Sequence, residues 1–308
     1  FTMALTYNEL DAHVKEKYIP ILMDQFYTST PLMAQLMAKN KVVFDSGQKI
    51  DVPVLYGDLP SDWYTGLDPF DISQVETTTL AKFLWKQMYV DVTIDGTTEA
   101  TVEGDEKILS IVSTKMENAT KTFSRKFSQA LYASAGAKAI LPLTTALATT
   151  GTYGEISKTS YSWWRGNVNT TGGAFDMDML QSMYGDCSDG AIQPDLIITT
   201  QDIYDKIWLR VQPMQRSNLD NTPGLASIGF SGINFNKATI LVDSYCNSGY
   251  IYVLNTDFWK LAVNKHRNMY WTDKKVPINQ DAWVRQLLWM GALFCTAPRW
   301  NGYISNVT

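Results

Sequence analysis

Between Gly104 and Tyr132 the apolar residues Ile108, Ile111, Val112, Met116, Ala119, Phe123, Phe127, Ala130 and Leu131 recur at three-and-four spacing. Lys107, Lys115, Glu117, Lys121 and Arg125 fall mostly on the opposite side. This spacing predicts one uninterrupted amphipathic helix. At 1.5 Å per residue, about 28 residues of helix run roughly 42 Å. A strut of that length crosses a whole domain, so the other elements must be layered along it.

The segment before the helix, Val42 to Gly96, has the texture of strands. "KVVFDSGQKIDVPVLYG" and "VETTTLAKFLWKQMYVDVTIDG" flank a turn-rich "DLPSDWYTGLDPFD", and a long hairpin is the economical reading. In its second strand Ala81, Phe83, Trp85, Gln87 and Tyr89 share one face, while Lys82, Leu84, Lys86 and Met88 share the other. Neither face is purely wet. A hairpin standing alone is marginal in water, and apolar groups on both faces leave an exposed patch unless something covers them. The cover is either the rest of the chain or a neighbouring copy.

Residues 1–40 read as a helical arm. "LTYNELDAHVKEKYIPILMDQF" opens on a capping box of Thr6 and Glu9 and meets Pro20 where the helix should end or kink. A second short helix follows Pro31, at a first-turn position where its missing donor costs nothing. Beyond the long helix, a Thr- and Gly-rich stretch up to Gly173 reads as short strands and loops. Phe175 to Cys187 reads as a helix, "PDLIITT" as a buried strand and "QDIYDKIWLRVQPMQR" as an amphipathic helix. A glycine-rich loop, Asn218 to Phe235, precedes the strands "ATILVDS" and "GYIYVLNTD", joined by a tight turn at Tyr245–Gly249, and the end of the chain is strand-rich. The fold class is α+β.

With 308 residues, 45% of them hydrophobic, the chain has material for a large core. Lys plus Arg number 26 against 31 Asp plus Glu, a net charge of −5, which disfavours holding nucleic acid by its phosphates. No window approaches the roughly 20 apolar residues that span a bilayer, and Phe1 to Leu10 lacks the pattern of a signal peptide. The chain therefore reads as soluble and unexported, with no membrane partner. Cys187, Cys246 and Cys295 are odd in number and far apart, which reads as buried thiols in a reducing compartment.

The search for catalytic chemistry is mostly negative. The two histidines, His13 and His266, make no metal-binding spacing, and there is no nucleophile elbow or phosphate loop. Paired acids such as Asp176/Asp178, Asp186/Asp189 and Asp202/Asp205, beside Trp63, Trp163, Trp164, Trp271 and Trp300, keep a carbohydrate-binding protein or glycosidase as the alternative. Aspartates at helix starts have a plainer role as caps and dipole partners.

The phrases "YIPILMDQFYTSTPLMAQLM", "TLAKFLWKQMYVDVTIDG", "YGEISKTSYSWWRG", "PDLIITTQDIYDKI", "YIYVLNTDFWKL" and "CTAPRWNGYISNV", in this order, resemble the major capsid proteins of tailed bacteriophages, with the HK97-type fold. The resemblance implies an N-terminal arm (1–41), an extended β-hairpin E-loop (42–97), a P-domain with a spine helix (98–174), an α/β A-domain (175–265) and strands returning to the P-domain (266–308). It implies a structural protein without catalytic residues, cofactor or metal. Copies would assemble into hexamers and pentamers of an icosahedral virion capsid in the host bacterial cytoplasm. They would enclose packaged double-stranded DNA, with scaffolding, portal and decoration proteins as further partners.

Trp, Tyr and Arg dominate binding energy at interface centres. Phe83, Trp85 and Tyr89 in the hairpin, and Trp163, Trp164 and Arg165 in "SYSWWRG", are accordingly expected to make inter-subunit contacts, the latter loop with packing inside its own subunit as the alternative. By resemblance, the glycine-rich loop with Pro223, Gly224, Gly229 and Gly232 is expected at the capsomer axis.

Overall fold

A computed structural model describes residues 30–45, 47–68, 70, 72–97, 105–211 and 233–308, with the side chains of 105–110 left out. The expected arm helix with Thr6, Glu9 and Pro20 lies outside the described residues, as does the loop with Pro223, Gly224, Gly229 and Gly232. The first described element is helix α1 (Pro31–Ala38). It is capped by Thr30, whose Oγ1 accepts from the Met33 amide, with proline at the helix start as expected.

The long helix is present as α2 (Asp105–Tyr132), 28 residues. Its buried face carries Val112, Met116, Ala119, Phe123, Phe127, Leu131 and Tyr132. That face lies on a five-stranded sheet built around β14 (Ala282–Cys295), a 14-residue strand. One stretch of β14 pairs with β4 (Lys86–Asp95) and the rest with β12 (Trp259–Asn264). β13 (Tyr270–Trp271) joins at Leu287–Leu288, and β1 (Val42–Asp45) runs parallel to β12. Gly291 is the point of exchange, paired with Lys86 on β4 and Val263 on β12. A Cβ there would lie 2.7 Å from the Ala262 carbonyl and 2.5 Å from the Trp289 ring, so no larger residue fits. Trp289 meets Phe127 edge-on at 5.2 Å and Phe123 at 6.0 Å, locking helix to sheet.

A second sheet has six strands in the order β7 (Asn167–Asn169), β15 (Gly302–Ile304), β11 (Ile251–Leu254), β8 (Leu196–Thr199), β10 (Ala238–Val242) and β9 (Ile233–Phe235). Its inner strands β8 and β11 are buried on both faces, which is why "LIIT" and "IYVL" read as unbroken apolar runs. Ile197, Ile240, Ile251 and Val253 pack with α4 (Met177–Asp186) and α5 (Gln201–Val211). The alternate residues Ile198, Leu241, Tyr252 and Leu254 join the core that contains α2. The strands around the Tyr245–Gly249 turn, expected as neighbours, are separated: β8 lies between them, parallel to β10 and antiparallel to β11. All three cysteines are buried and unpaired, as expected.

The Val42–Gly96 excursion differs from a single long hairpin. Its first strand is divided, with β1 in the sheet under α2 and only β2 (Lys49–Leu55) in the hairpin. Its second strand breaks at Trp85: β3 (Thr78–Leu84) pairs with β2, whereas β4 pairs with β14. A two-stranded ribbon therefore rises from a rooted base. The two-faced apolar pattern has its cause in this break, since Phe83 and Ala81 face the body while Val92 and Ile94 face α2.

Candidate assembly interface

The ribbon's root is held by four kinds of contact. Phe83 stacks on Phe294 at 5.1 Å and meets Tyr153 edge-on at 5.1 Å. The Lys82 amide donates to the Gly154 carbonyl at 2.9 Å, and Lys49 Nζ lies 2.8 Å from Glu155 Oε1. Tyr56, just past β2, stacks on Trp163 with ring centres 4.9 Å apart and planes 11° from parallel. Segment 151–165, which contains the short strands β5 (Thr152–Tyr153) and β6 (Ile156–Ser157) and leads into β7, is thus the bracket that supports the ribbon.

That bracket is stiffened from within. Trp164 is 1% exposed and its Nε1 donates to the Tyr153 carbonyl at 2.9 Å. Arg165 spends Nε and Nη2 on the carbonyls of Lys158 and Thr159, both at 2.6 Å. Lys158, also 1% exposed, donates to the carbonyls of Thr145 and Ala146 at 2.9 and 2.5 Å, at the end of the short helix α3 (Leu143–Leu147). Its Nζ sits 5.0 Å from the centre of the Tyr153 ring.

Burial lowers the Lys158 pKa from its ordinary 10.5 to about 8. Between these values the unfolded chain holds a proton that the folded chain has released, so this residue makes stability rise with pH from about 8 to 10.5. Below pH 8 its burial cost, on the order of 3 kcal/mol, is fully present. Urea midpoints of the wild type and of Lys158→Met, compared from pH 7 to 10.5, should therefore converge or cross as the wild type gains. A constant difference would mean that Lys158 is not a buried cation at neutral pH.

The structure places the six expected contact residues differently from one another. Phe83 and Trp164 are corrected: at 3% and 1% exposure in the single chain they have no surface left for a neighbour. Trp85 is half-buried, with Nε1 donating to the Gly47 carbonyl at 2.9 Å. Trp163 is half-buried against Tyr56, and Arg165 is half-buried and bonded to its own loop. Tyr89 is 65% exposed. Of the five tryptophans that motivated a sugar platform, Trp164 and Trp271 are buried in the core. Among the described residues no group of three His, Cys, Asp or Glu is placed to hold a metal.

Among the described residues the largest apolar exposure lies at the ribbon's end, which sequence reasoning passed over as a turn. Trp63 and Leu67 are fully exposed, Ile72 is 92% exposed, and Leu55, Leu59, Tyr64 and Phe70 are each exposed by 65% or more. Between Tyr56 and Thr77 the sequence has five acids, Asp58, Asp62, Asp68, Asp71 and Glu76, and no Lys or Arg. This loop alone carries as much charge as the chain's net −5. The available signal was bulky apolar residues set among acids, glycine and proline without helical or strand periodicity. A soluble monomer rarely leaves such a patch open, and patches of this kind mark interaction sites.

The overall arrangement recurs in solved structures. A chain of the Cyanophage A-1(L) capsid asymmetric unit superposes with a TM-score of 0.66 over 87% of this chain and 90% of that one, at 16% identity. The fold is that of HK97-like capsid shells. The capsid of the native GTA particle matches with a TM-score of 0.62 over 89% of this chain and 90% of that one, at 11% identity. The holo-SrpI encapsulin complex from Synechococcus elongatus matches at 0.57 over 90% and 88%, with 9% identity. No protein-family model and no curated protein matches the sequence. At these identities the likeness is one of fold.

Proposed function

We propose that this chain is a major capsid protein, copies of which tile as hexamers and pentamers into an icosahedral phage head around packaged double-stranded DNA. The observation that carries the reading is the exposed apolar end of the ribbon, in a chain that shares its fold with capsid chains along nearly its full length. One copy cannot bury Trp63, Leu67 and Ile72, and an adjacent copy can. Contacts of this kind are heterologous, and they close into rings where the rotation allows. Obligate interfaces bury from about 2,000 to 5,000 Å², a demand that a projecting ribbon helps to meet.

In this reading the ribbon and its roots are the E-loop, α2 is the spine helix, and α2 with the β14-centred sheet forms the P-domain. The six-stranded sheet with α4 and α5 is the A-domain. Division by sheet membership assigns Trp259–Asn264 to the P-domain, and Asn167–Asn169 and Gly302–Ile304 to the A-domain. The loop with Pro223, Gly224, Gly229 and Gly232 is assigned to the capsomer axis, and residues 1–41 to the arm. Trp85, Tyr89, Trp163 and Arg165 retain an inter-subunit role through their exposed portions. The negative balance suits a wall that must not grip the DNA it encloses. Location in the virion, assembly in the host cytoplasm, and contacts with scaffolding, portal and decoration proteins belong to the same reading.

Size is the direct test. The purified protein should sediment as capsomers or shells and show round particles in negative stain. A species that remains at the 34.7 kDa of one chain at high concentration, with the ribbon folded as described, would overturn the reading.

A further inference from the structure

Beside the ribbon's root is a cavity of about 210 Å³, walled by Phe83, Leu84, Ile140, Leu141 and Leu293 and flanked by Lys82 and Lys86. It exceeds the roughly 150 Å³ of an apolar cavity that takes a benzene ring. Lys86 Nζ donates to a neutral group, the Ala137 carbonyl, at 2.7 Å. Glu155, the acid at the rim, is held by Lys49 at 2.8 Å, and the charge of Lys82 also bears on it. Lys49, Lys82 and Lys86 against Glu155 and Asp51, which lies opposite Lys82 across the ribbon, leave the mouth of the cavity with a single net positive charge. An apolar hole with a cationic rim thus sits at one end of the ribbon, and apolar residues with an anionic surround sit at the other.

We propose that the cavity at the ribbon's root receives the end of the ribbon of a second copy, with the Trp63 ring as the inserted group and Asp58 and Asp62 facing Lys82 and Lys86. This deepens the shell reading and rests on it. Trp63 is the ring to insert because Tyr64 and Phe70 already pack edge-on against each other at 5.0 Å, whereas Trp63 is fully exposed. Its own chain's cavity is not the receiver, since the rigid strands β2 and β3 separate Trp63 from it. The donor and receiver patches differ, so each copy both gives and accepts, which propagates around a ring. Complementary charge also sets register and suppresses wrong pairings.

The test uses the full-length protein as two single variants, Trp63→Cys and Leu84→Cys, Leu84 being on the cavity wall and exposed. The native thiols are buried, and burial pushes those of Cys187 and Cys295 up to about 12, so they stay inert under mild oxidation. The variants are co-assembled and oxidised. A disulfide-linked dimer at least tenfold more abundant in the mixture than in either variant alone is expected. In parallel, Asp58→Lys with Asp62→Lys should lower the assembled fraction at least tenfold, and adding Lys82→Glu with Lys86→Glu should restore it. Normal particles without the crosslink and without charge-swap rescue would overturn this contact and leave the shell reading standing. A wild type that never assembles would overturn both.

Discussion

Replacing Trp63, Leu67 and Ile72 together with serine should leave the thermal midpoint of the isolated subunit unchanged while abolishing particle formation. All three side chains are fully open to solvent in the single chain, so their removal costs the fold nothing it has gained by burial. Surface changes away from caps, cavities and networks usually stay within about 0.5 kcal/mol. Assembly has the opposite accounting, because most of the binding free energy of an interface is concentrated in a few large aromatic and apolar residues near its centre. Circular dichroism melts and sedimentation of the same sample separate the two effects. A large loss of thermal stability would show that the ribbon's end is folded against its own body. Unchanged particle yield would show that the patch is not part of the shell contact.

The same division between what a residue does at home and abroad explains what the sequence alone revealed. Helix α2 was legible almost to the residue, because its core face is written within one continuous 3.6-residue period that needs no distant partner to be interpreted. The two strands of the ribbon were legible for a similar local reason. The break at Trp85 was not, since no turn residue marks it. There the chain exchanges β2 for β14, a partner some two hundred residues further on, and only tertiary pairing decides the point. β10 and β11 illustrate the same limit: the turn between them was visible, but the insertion of β8 depends on the whole sheet.

Candidate contact residues were harder still to place. Trp and Arg are enriched at interface centres, yet large aromatics also dominate cores, and the residue types of "SYSWWRG" fit either use. Trp163 is half-buried against Tyr56 while Trp164, one residue on, is enclosed, because the 3₁₀ turn Ser162–Trp164 points consecutive side chains in different directions. The acids around Trp63 carried a better signal. Five like charges in one short loop, with no base among them, are poorly suited to a folded core and well suited to a partner of opposite sign.

Trp164→Ala follows from the enclosed role and should be the most damaging single substitution in the bracket. The side chain is 1% exposed and lies 5.8 Å from Tyr153 and 5.5 Å from Trp163, ring centre to ring centre. Truncation removes these contacts, opens a cavity and takes the indole donor from the Tyr153 carbonyl. Core Trp→Ala changes cost about 3–5 kcal/mol, a large part of the 5–15 kcal/mol that holds a typical domain together. The urea midpoint should fall accordingly, with loss of soluble subunit preceding any effect on assembly. Trp163→Ala, by contrast, removes a half-buried ring and should cost the subunit much less. If Trp164→Ala folded with wild-type stability and failed only to assemble, the indole would have to face a neighbouring copy, and the bracket around Tyr153 would have another basis. The chain supports an outlying ribbon only because loop 151–165 is itself anchored, by Trp164 on one side and by Lys158 at the end of α3 on the other. Weakening that anchor must therefore reach the ribbon's direction before it reaches its exposed end.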